Sequence, residues 1–216
     1  MPRFKLTAMN NSGHLRLVRV LGIDPAAAGP TGYGVVEAQG RNCRVLHYGA
    51  LRVGEKRKES AGAALEAVHT LICDLISEFS PHVLAVESIF SALNVKTALR
   101  LAEVRGVVLL AAAQHQIEVF SYAPREVKAS VAGYGHADKR QMQLMVRALL
   151  AMNETPEPPD AADALAVALC HLQADESRRR FGAGAAPGAN GPSSRASITR
   201  QGGATPIPLP RISTLR

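Results

Sequence analysis

The stretch Val18-Arg19-Val20-Leu21-Gly22-Ile23-Asp24-Pro25 constrains this chain most, because an apolar run there stops on a carboxylate. Val18, Val20, Leu21 and Ile23 suit a strand buried between two layers, where β-branched and aliphatic side chains fill a pleated surface. Pro25 has no N–H to give a ladder, so the strand ends or turns away at that point. Asp24 is thus expected at the C-terminal rim of a rigid strand. One acid in such a place is compatible with an ordinary solvated strand end. Its meaning depends on whether other acids reach the same rim.

A second apolar run, Val83-Leu84-Ala85-Val86, also stops on a carboxylate, Glu87. Before it, Leu65, Val68, Leu71, Ile72, Leu75, Ile76 and Phe79 recur at three- and four-residue intervals, one apolar face of a helix. That intervening helix lets the second strand lie parallel to the first and bring Glu87 to the same edge. Thr31–Glu37 and Arg44–Val53 read as strands joined by short polar turns, an antiparallel meander with the first. Residues 94–116, rich in Ala, Leu and Val, read as a helix buried on more than one face, either central to the core or part of a subunit interface. Glu118–Tyr122 is a last strand. Residues 125–139 are basic, contain Gly133 and Gly135, and are expected to form a loop near a ligand. Residues 138–152 form another helix, and after the prolines at 156–159 a final apolar helix runs from Asp160 to Cys170.

Charge separates the body from its ends. The net charge of +7 places four Lys/Arg and no acid in residues 1–20, and seven Arg and no acid in residues 177–216. The middle holds 14 basic against 18 acidic residues, a formal −4. Basic arms that gather a polyanion, around a body whose acid is neutralised by bound cations, fit this pattern. The expected organisation is a flexible basic extension over 1–17, one folded domain over 18–174, and a disordered Arg/Gly/Pro-rich tail over 175–216 that cannot bury enough surface to offset chain entropy. Cys43, Cys73 and Cys170 are odd in number and widely spaced, which argues for a reducing cytoplasm over a disulfide framework. No apolar run approaches the roughly 20 residues of a membrane span, so no membrane association is expected.

Asp160 and Asp163 fit an ordinary helix start, an N-cap followed by an acidic first turn. Positions three apart also share a helix face, so the pair can converge on one cation. With Asp24 and Glu87, four acids then stand at element ends. Four carboxylates in one pocket repel unless divalent metal neutralises them, and hard oxygen donors without His or Cys favour Mg²⁺ or Mn²⁺. Two such ions about 4 Å apart can clamp a phosphodiester, one activating water and one stabilising the leaving oxygen. Arg125, Lys128, Lys139 and Arg140 bracket the Gly-bearing segment and can contact phosphate. The histidines show no metal-ligand spacing. His136, beside that segment, is the one candidate for a group near a reacting phosphate.

Leu21-Gly22-Ile23-Asp24-Pro25, Thr31-Gly32-Tyr33-Gly34-Val35, Ala85-Val86-Glu87-Ser88-Ile89-Phe90 and Asp160-Ala161-Ala162-Asp163-Ala164-Leu165-Ala166, in this order, resemble the RuvC family of Holliday-junction endonucleases. The resemblance covers roughly residues 18–173. It implies an α/β, ribonuclease H-like fold with a mixed five-stranded sheet flanked by helices. It also implies a homodimer, Mg²⁺-dependent paired nicking of four-way junction DNA in recombination, repair and the SOS response, and cooperation with a RuvA–RuvB branch-migration complex. By position, Asp24, Glu87, Asp160 and Asp163 would be the catalytic, metal-binding carboxylates. Phe90 would match the family's aromatic near the junction centre, and Lys128 and Lys139 its basic residues beside the scissile strand. The sequence departs from the family pattern at Ala26, where Gly is usual after Asp-Pro, and at Leu101-Ala102-Glu103, where Leu-Gly-Gln is more usual. Two rival readings share parts of this pattern: an RNase H-like nuclease acting on structured RNA, and an actin-like or sugar-kinase-type ATP-binding protein. The second would require two related domains, and only one such hairpin is present.

Overall fold

Strand β1 (Leu17–Asp24) sits at the centre of a five-stranded sheet ordered β3-β2-β1-β4-β5, in a computed structural model that describes residues 16–26, 29–52, 61–88 and 94–182. Strands β2 (Thr31–Gln39) and β3 (Asn42–Leu51) form the expected antiparallel meander with β1, from Leu17 opposite Gln39 to Asp24 opposite Gly32. Helix α1 (Ala61–Phe79) then carries the chain to β4 (Val83–Glu87), and α2 (Val95–Gln114) carries it to β5 (Glu118–Tyr122). Both crossovers make parallel pairs, β1 with β4 and β4 with β5, as a helix between strands permits. The mixed sheet flanked by helices is thus the one expected.

Side-chain alternation sorts the two faces. Leu21, Ile23, Val35, Leu84 and Val86 point into a core closed by Val68, Ile72 and Leu75 of α1 and Val108, Ala111 and Ala112 of α2. Val18, Val20 and Ala85 point to the other side, under α3 (Pro124–Ala132), α4 (Lys139–Leu149) and α5 (Pro159–Gly182). Since side chains two apart on a strand share a face, Asp24 and Glu87 project toward α5 as well.

Helix α5 is apolar nearly all round because the protein surrounds its first half. Ala161, Ala162 and every residue from Ala164 to His171 are buried. It lies directly on the sheet through glycines. A Cβ at Gly22 would run into the backbone of Ala164 and stand 2.9 Å from the Ala168 methyl, and one at Gly32 would run into the carbonyl of Asp160. No other residue permits this contact. It is what brings the start of α5 down over the end of β1.

Glu37, 4% exposed on β2, shows how the fold treats a buried acid away from that end. Its cross-strand neighbours are Arg19 and Arg44. Arg19 Nε donates to Oε2 at 2.7 Å and Arg44 Nε to Oε1 at 2.7 Å, while Arg19 Nη1 also donates to the Phe79 carbonyl at the end of α1, at 2.9 Å. Hydrogen bonds from Arg19 and then Arg44 hold the Glu37 carboxyl below its ordinary range.

Four expectations need correcting. Residues 125–139 are not a loop. Pro124 opens α3, the Glu126 carboxylate accepts from the Ala123 N–H at 3.3 Å, and Val127 and Val131 are buried one turn apart. The glycine at 133, at φ 74°, ends that helix, and Asp138 caps α4 by accepting from the Gln141 N–H at 2.8 Å. The segment placed in a disordered tail from 175 is helical as far as Gly182. Arg179 pairs with Asp175 at 2.6 Å and Arg180 pairs with Glu176, both at the i,i+4 spacing that supports an exposed helix, with arginines favoured at its C-terminal end. At the other boundary, Leu17 already belongs to β1. Helix α2 is not central to the core. It buries only Val108, Ala111 and Ala112 and exposes Val95, Leu99 and Leu110. The remainder of both expected extensions, 1–15 and 183–216, lies outside the described residues. Among the described residues no helix is long and apolar enough to cross a membrane.

Candidate active site

Asp24 and Glu87 end adjacent parallel strands, one step past the Ile23–Val86 pairing. Over them lies the start of α5, so Asp163 enters from above. These three acids line one cavity of about 230 Å³, together with Lys128 of α3, Lys139 of α4, Pro124, Val127, Met142 and Ala166. Asp160 does not line the cavity, but it stands near enough for its charge to act on Asp24. Pro159 takes the first position of α5, so Asp160 is a first-turn acid of that helix and not its N-cap.

The electrostatics reflect crowding of like charge on an apolar floor. Burial first, then the charges of Glu87 and Asp163, push the Asp24 carboxyl from 3.8 up to about 8. Glu87 is raised too, chiefly by burial, while a hydrogen bond from Asp24 works in the opposite direction. Lys139 Nζ lies 3.2 Å from Asp163 Oδ2. Burial alone would lower Lys139, but Asp163, followed by Asp160 and Asp24, more than offsets this and keeps it raised.

This donor set suits a hard divalent cation. Every titratable group on the cavity wall is a carboxylate or a lysine, with no His or Cys, and burial together with the neighbouring acids raises the Asp24 carboxyl. Among the described residues no three acidic, His or Cys side chains form a ready ligand set. The ammonium of Lys139, paired with Asp163, supplies part of the charge balance instead.

The other expected site residues are distributed unevenly. Lys128 and Lys139 reach the cavity, whereas Arg125 and Arg140 are exposed on α3 and α4 and do not line it. Phe90 lies outside the described residues. His136 is exposed and packs against the ring of Tyr134 at 5.5 Å, off the cavity wall. A further contact has no local sequence signal: Arg105 of α2 donates to the backbone carbonyl of Glu87, 18 residues away, across the sheet edge.

Comparison with known proteins places the chain in a family. Residues 20–171 match the family described as crossover junction endodeoxyribonuclease RuvC. The protein of that name from Natranaerobius thermophilus is 47% identical over 162 residues, 75% of this chain and 99% of its own length. The structure of Thermus thermophilus RuvC in complex with Holliday junction substrate superposes with a TM-score of 0.69 at 34% identity, covering 74% of this chain and 96% of that one. A yeast mitochondrial Holliday junction resolvase, at 16% identity, shares the fold with a TM-score of 0.59, over 79% of this chain and 84% of its own. With a match across most of the folded domain and relatives covered almost end to end, this chain belongs to the RuvC family of crossover junction endodeoxyribonucleases.

Proposed function

We propose that this chain is a metal-dependent endonuclease that resolves four-way DNA junctions, with Asp24, Glu87, Asp160 and Asp163 as its catalytic, metal-holding carboxylates. The observation that carries the reading is the convergence of Asp24, Glu87 and Asp163 with two lysines on one cavity, in a chain of this family. When bound, Mg²⁺ or Mn²⁺, two per site, would supply Lewis-acid activation of water and stabilisation of the leaving oxygen. Lys128 and Lys139 hold positive charge at the cavity mouth, where a phosphodiester must enter, and so offset the repulsion between DNA and the acids. Lys139, now paired with Asp163, would be free to reach phosphate when the acids hold a cation. Arg125 and Arg140, exposed on the same two helices, extend the phosphate-binding surface, and Phe90 is the residue that the family resemblance matches to the aromatic near the junction centre.

Paired nicks on opposed strands require two sites related by a two-fold axis, and α2 offers the surface for an isologous dimer. Leu99 and Leu110 are 60% and 53% exposed on it. Family membership supports a RuvA–RuvB branch-migration complex as partner and a cytoplasmic site of action as further parts of this reading. The RNA-nuclease and ATP-binding readings lose ground because the Thermus thermophilus relative was solved on a Holliday junction and relatives are matched nearly end to end.

A labelled immobile four-way junction, incubated with the full-length protein with Mg²⁺ or with chelator, tests the reading. Symmetric nicks that need the cation are expected, with no cleavage of structured RNA and no ATP binding. Uncut junctions, or equal cutting in chelator, would overturn it. Light scattering should show a dimer at micromolar protein.

A further inference from the structure

The last residue of a strand is where a sheet controls the backbone least, and Glu87 is the last residue of β4. Its carboxylate nevertheless has to meet Asp24 and Asp163 within one small cavity. Two sets of hydrogen bonds hold the chain at this point. On the β5 side, the Ser88 N–H donates to the Tyr122 carbonyl at 2.8 Å and Ser88 Oγ donates to the same oxygen at 3.1 Å. From the opposite face of the sheet, half-buried Arg105 of α2 spans the two strand ends. Its Nη1 donates to the Glu87 carbonyl at 3.3 Å and its Nη2 to Ser121 Oγ at 2.7 Å.

We infer that Arg105 is a positioning residue: its guanidinium fixes the final peptide of β4 from behind and so aims the Glu87 carboxylate into the cavity. This rests on the proposed reading of that cavity. The geometry suits a guanidinium in particular. Its planar fork presents two N–H donors at a fixed separation, so the Glu87 carbonyl and the Ser121 hydroxyl are held at one spacing, whereas a lysine ammonium on a flexible stem imposes no such relation. Arg105 also belongs to a helix anchored in the core by Val108, Ala111 and Ala112, which gives the fork a rigid base. The arginine does not itself line the cavity. It acts through the Glu87 backbone, as the outer partners of metal ligands do.

The test uses the full-length protein and three substitutions, Arg105→Met, Arg105→Lys and Ser121→Ala, beside Glu87→Gln as reference. Mn²⁺ binding without DNA is read by electron paramagnetic resonance, single-turnover cleavage with a labelled junction, and folding by urea melts. Arg105→Met should bind Mn²⁺ about tenfold more weakly and cleave about tenfold more slowly at saturating protein, the scale seen when outer partners of metal ligands are removed. Its junction affinity should be unchanged. Arg105→Lys should recover only part of either loss, and Ser121→Ala should move both readouts the same way by less. Should Arg105→Met fail to fold, Ser121→Ala decides. Wild-type Mn²⁺ affinity and cleavage in the folded variants, or a loss that only tracks the unfolded fraction, would overturn the role of Arg105. Wild-type cleavage by Glu87→Gln would instead overturn the reading of the cavity, whatever Arg105 does.

Discussion

Glu37 and Asp24 are two acids of one sheet, and they are treated in opposite ways. Strand register supplies Glu37 with an arginine on each neighbouring strand, so its carboxyl is held below its ordinary range. The register opposite Asp24 supplies Gly32, and burial followed by the charges of Glu87 and Asp163 pushes its carboxyl up to about 8. A structural carboxylate carries its counterions within the fold. A carboxylate meant to hold something leaves that charge to come from outside, and the protein tolerates the resulting repulsion.

Breaking each side of this contrast should have different consequences. Asp24→Asn should slow junction cleavage in Mg²⁺ by about 10³-fold or more, the scale of losing a preorganised electrostatic element, with junction binding kept or tightened. Gel-based cleavage and binding assays on one preparation check this, and substantial nicking by the variant would remove Asp24 from the chemistry. Glu37→Ala should leave cleavage at saturating protein intact and lower stability by about 1–3 kcal/mol, since the arginines it strands are partly solvated. Urea titration gives that number.

The finest distinction is in pH dependence. A carboxyl raised from 3.8 to about 8 contributes stability in full below about pH 3.8 and loses it as pH rises through about 8. Glu37 behaves inversely: its contribution is present above 4.5 and is lost as pH falls through its lowered value. Between pH 5.5 and 8, metal-free protein should therefore lose stability on the order of 1 kcal/mol, after relaxation and water have softened the buried cluster. Mg²⁺ or Asp24→Asn should flatten that slope, and Glu37→Ala should leave it in place. Parallel slopes for Asp24→Asn and wild type in chelator would show that the cluster is not the source.

What the sequence discloses follows from what is local. The strand ends at Asp24 and Glu87 are legible because an apolar run and a terminal acid are adjacent in the chain, and the intervening helix implies parallel pairing. Helix α3 is hidden by its composition: Arg125 and Lys128 with two following glycines suggest a loop, and the helical signal is reduced to Val127 and Val131. The extension of α5 is carried by the spacing of Asp175 with Arg179 and Glu176 with Arg180, a signal masked by the arginine- and glycine-rich composition beyond it. The unequal places of Asp163 on the cavity wall and Asp160 beside it depend on how one helix turn is seated, which pattern alone does not specify. The tie between Arg105 and Glu87 crosses from one layer to another and leaves no trace in either segment.

The glycine contacts under α5 have a consequence for tolerance. Where side chains separate a helix from a sheet, the spacing between them is a negotiated average, and repacking can restore it after a change. At Gly22 and Gly32 peptide meets helix with nothing interposed. The gap there is a mechanical stop, machined to the hard radius of main-chain atoms and with no adjustable shim. The acids on the strand and the acid on the helix are therefore gauged to each other by covalent geometry, and a single added methyl at either glycine would throw that gauge off without any compensating partner to reset it.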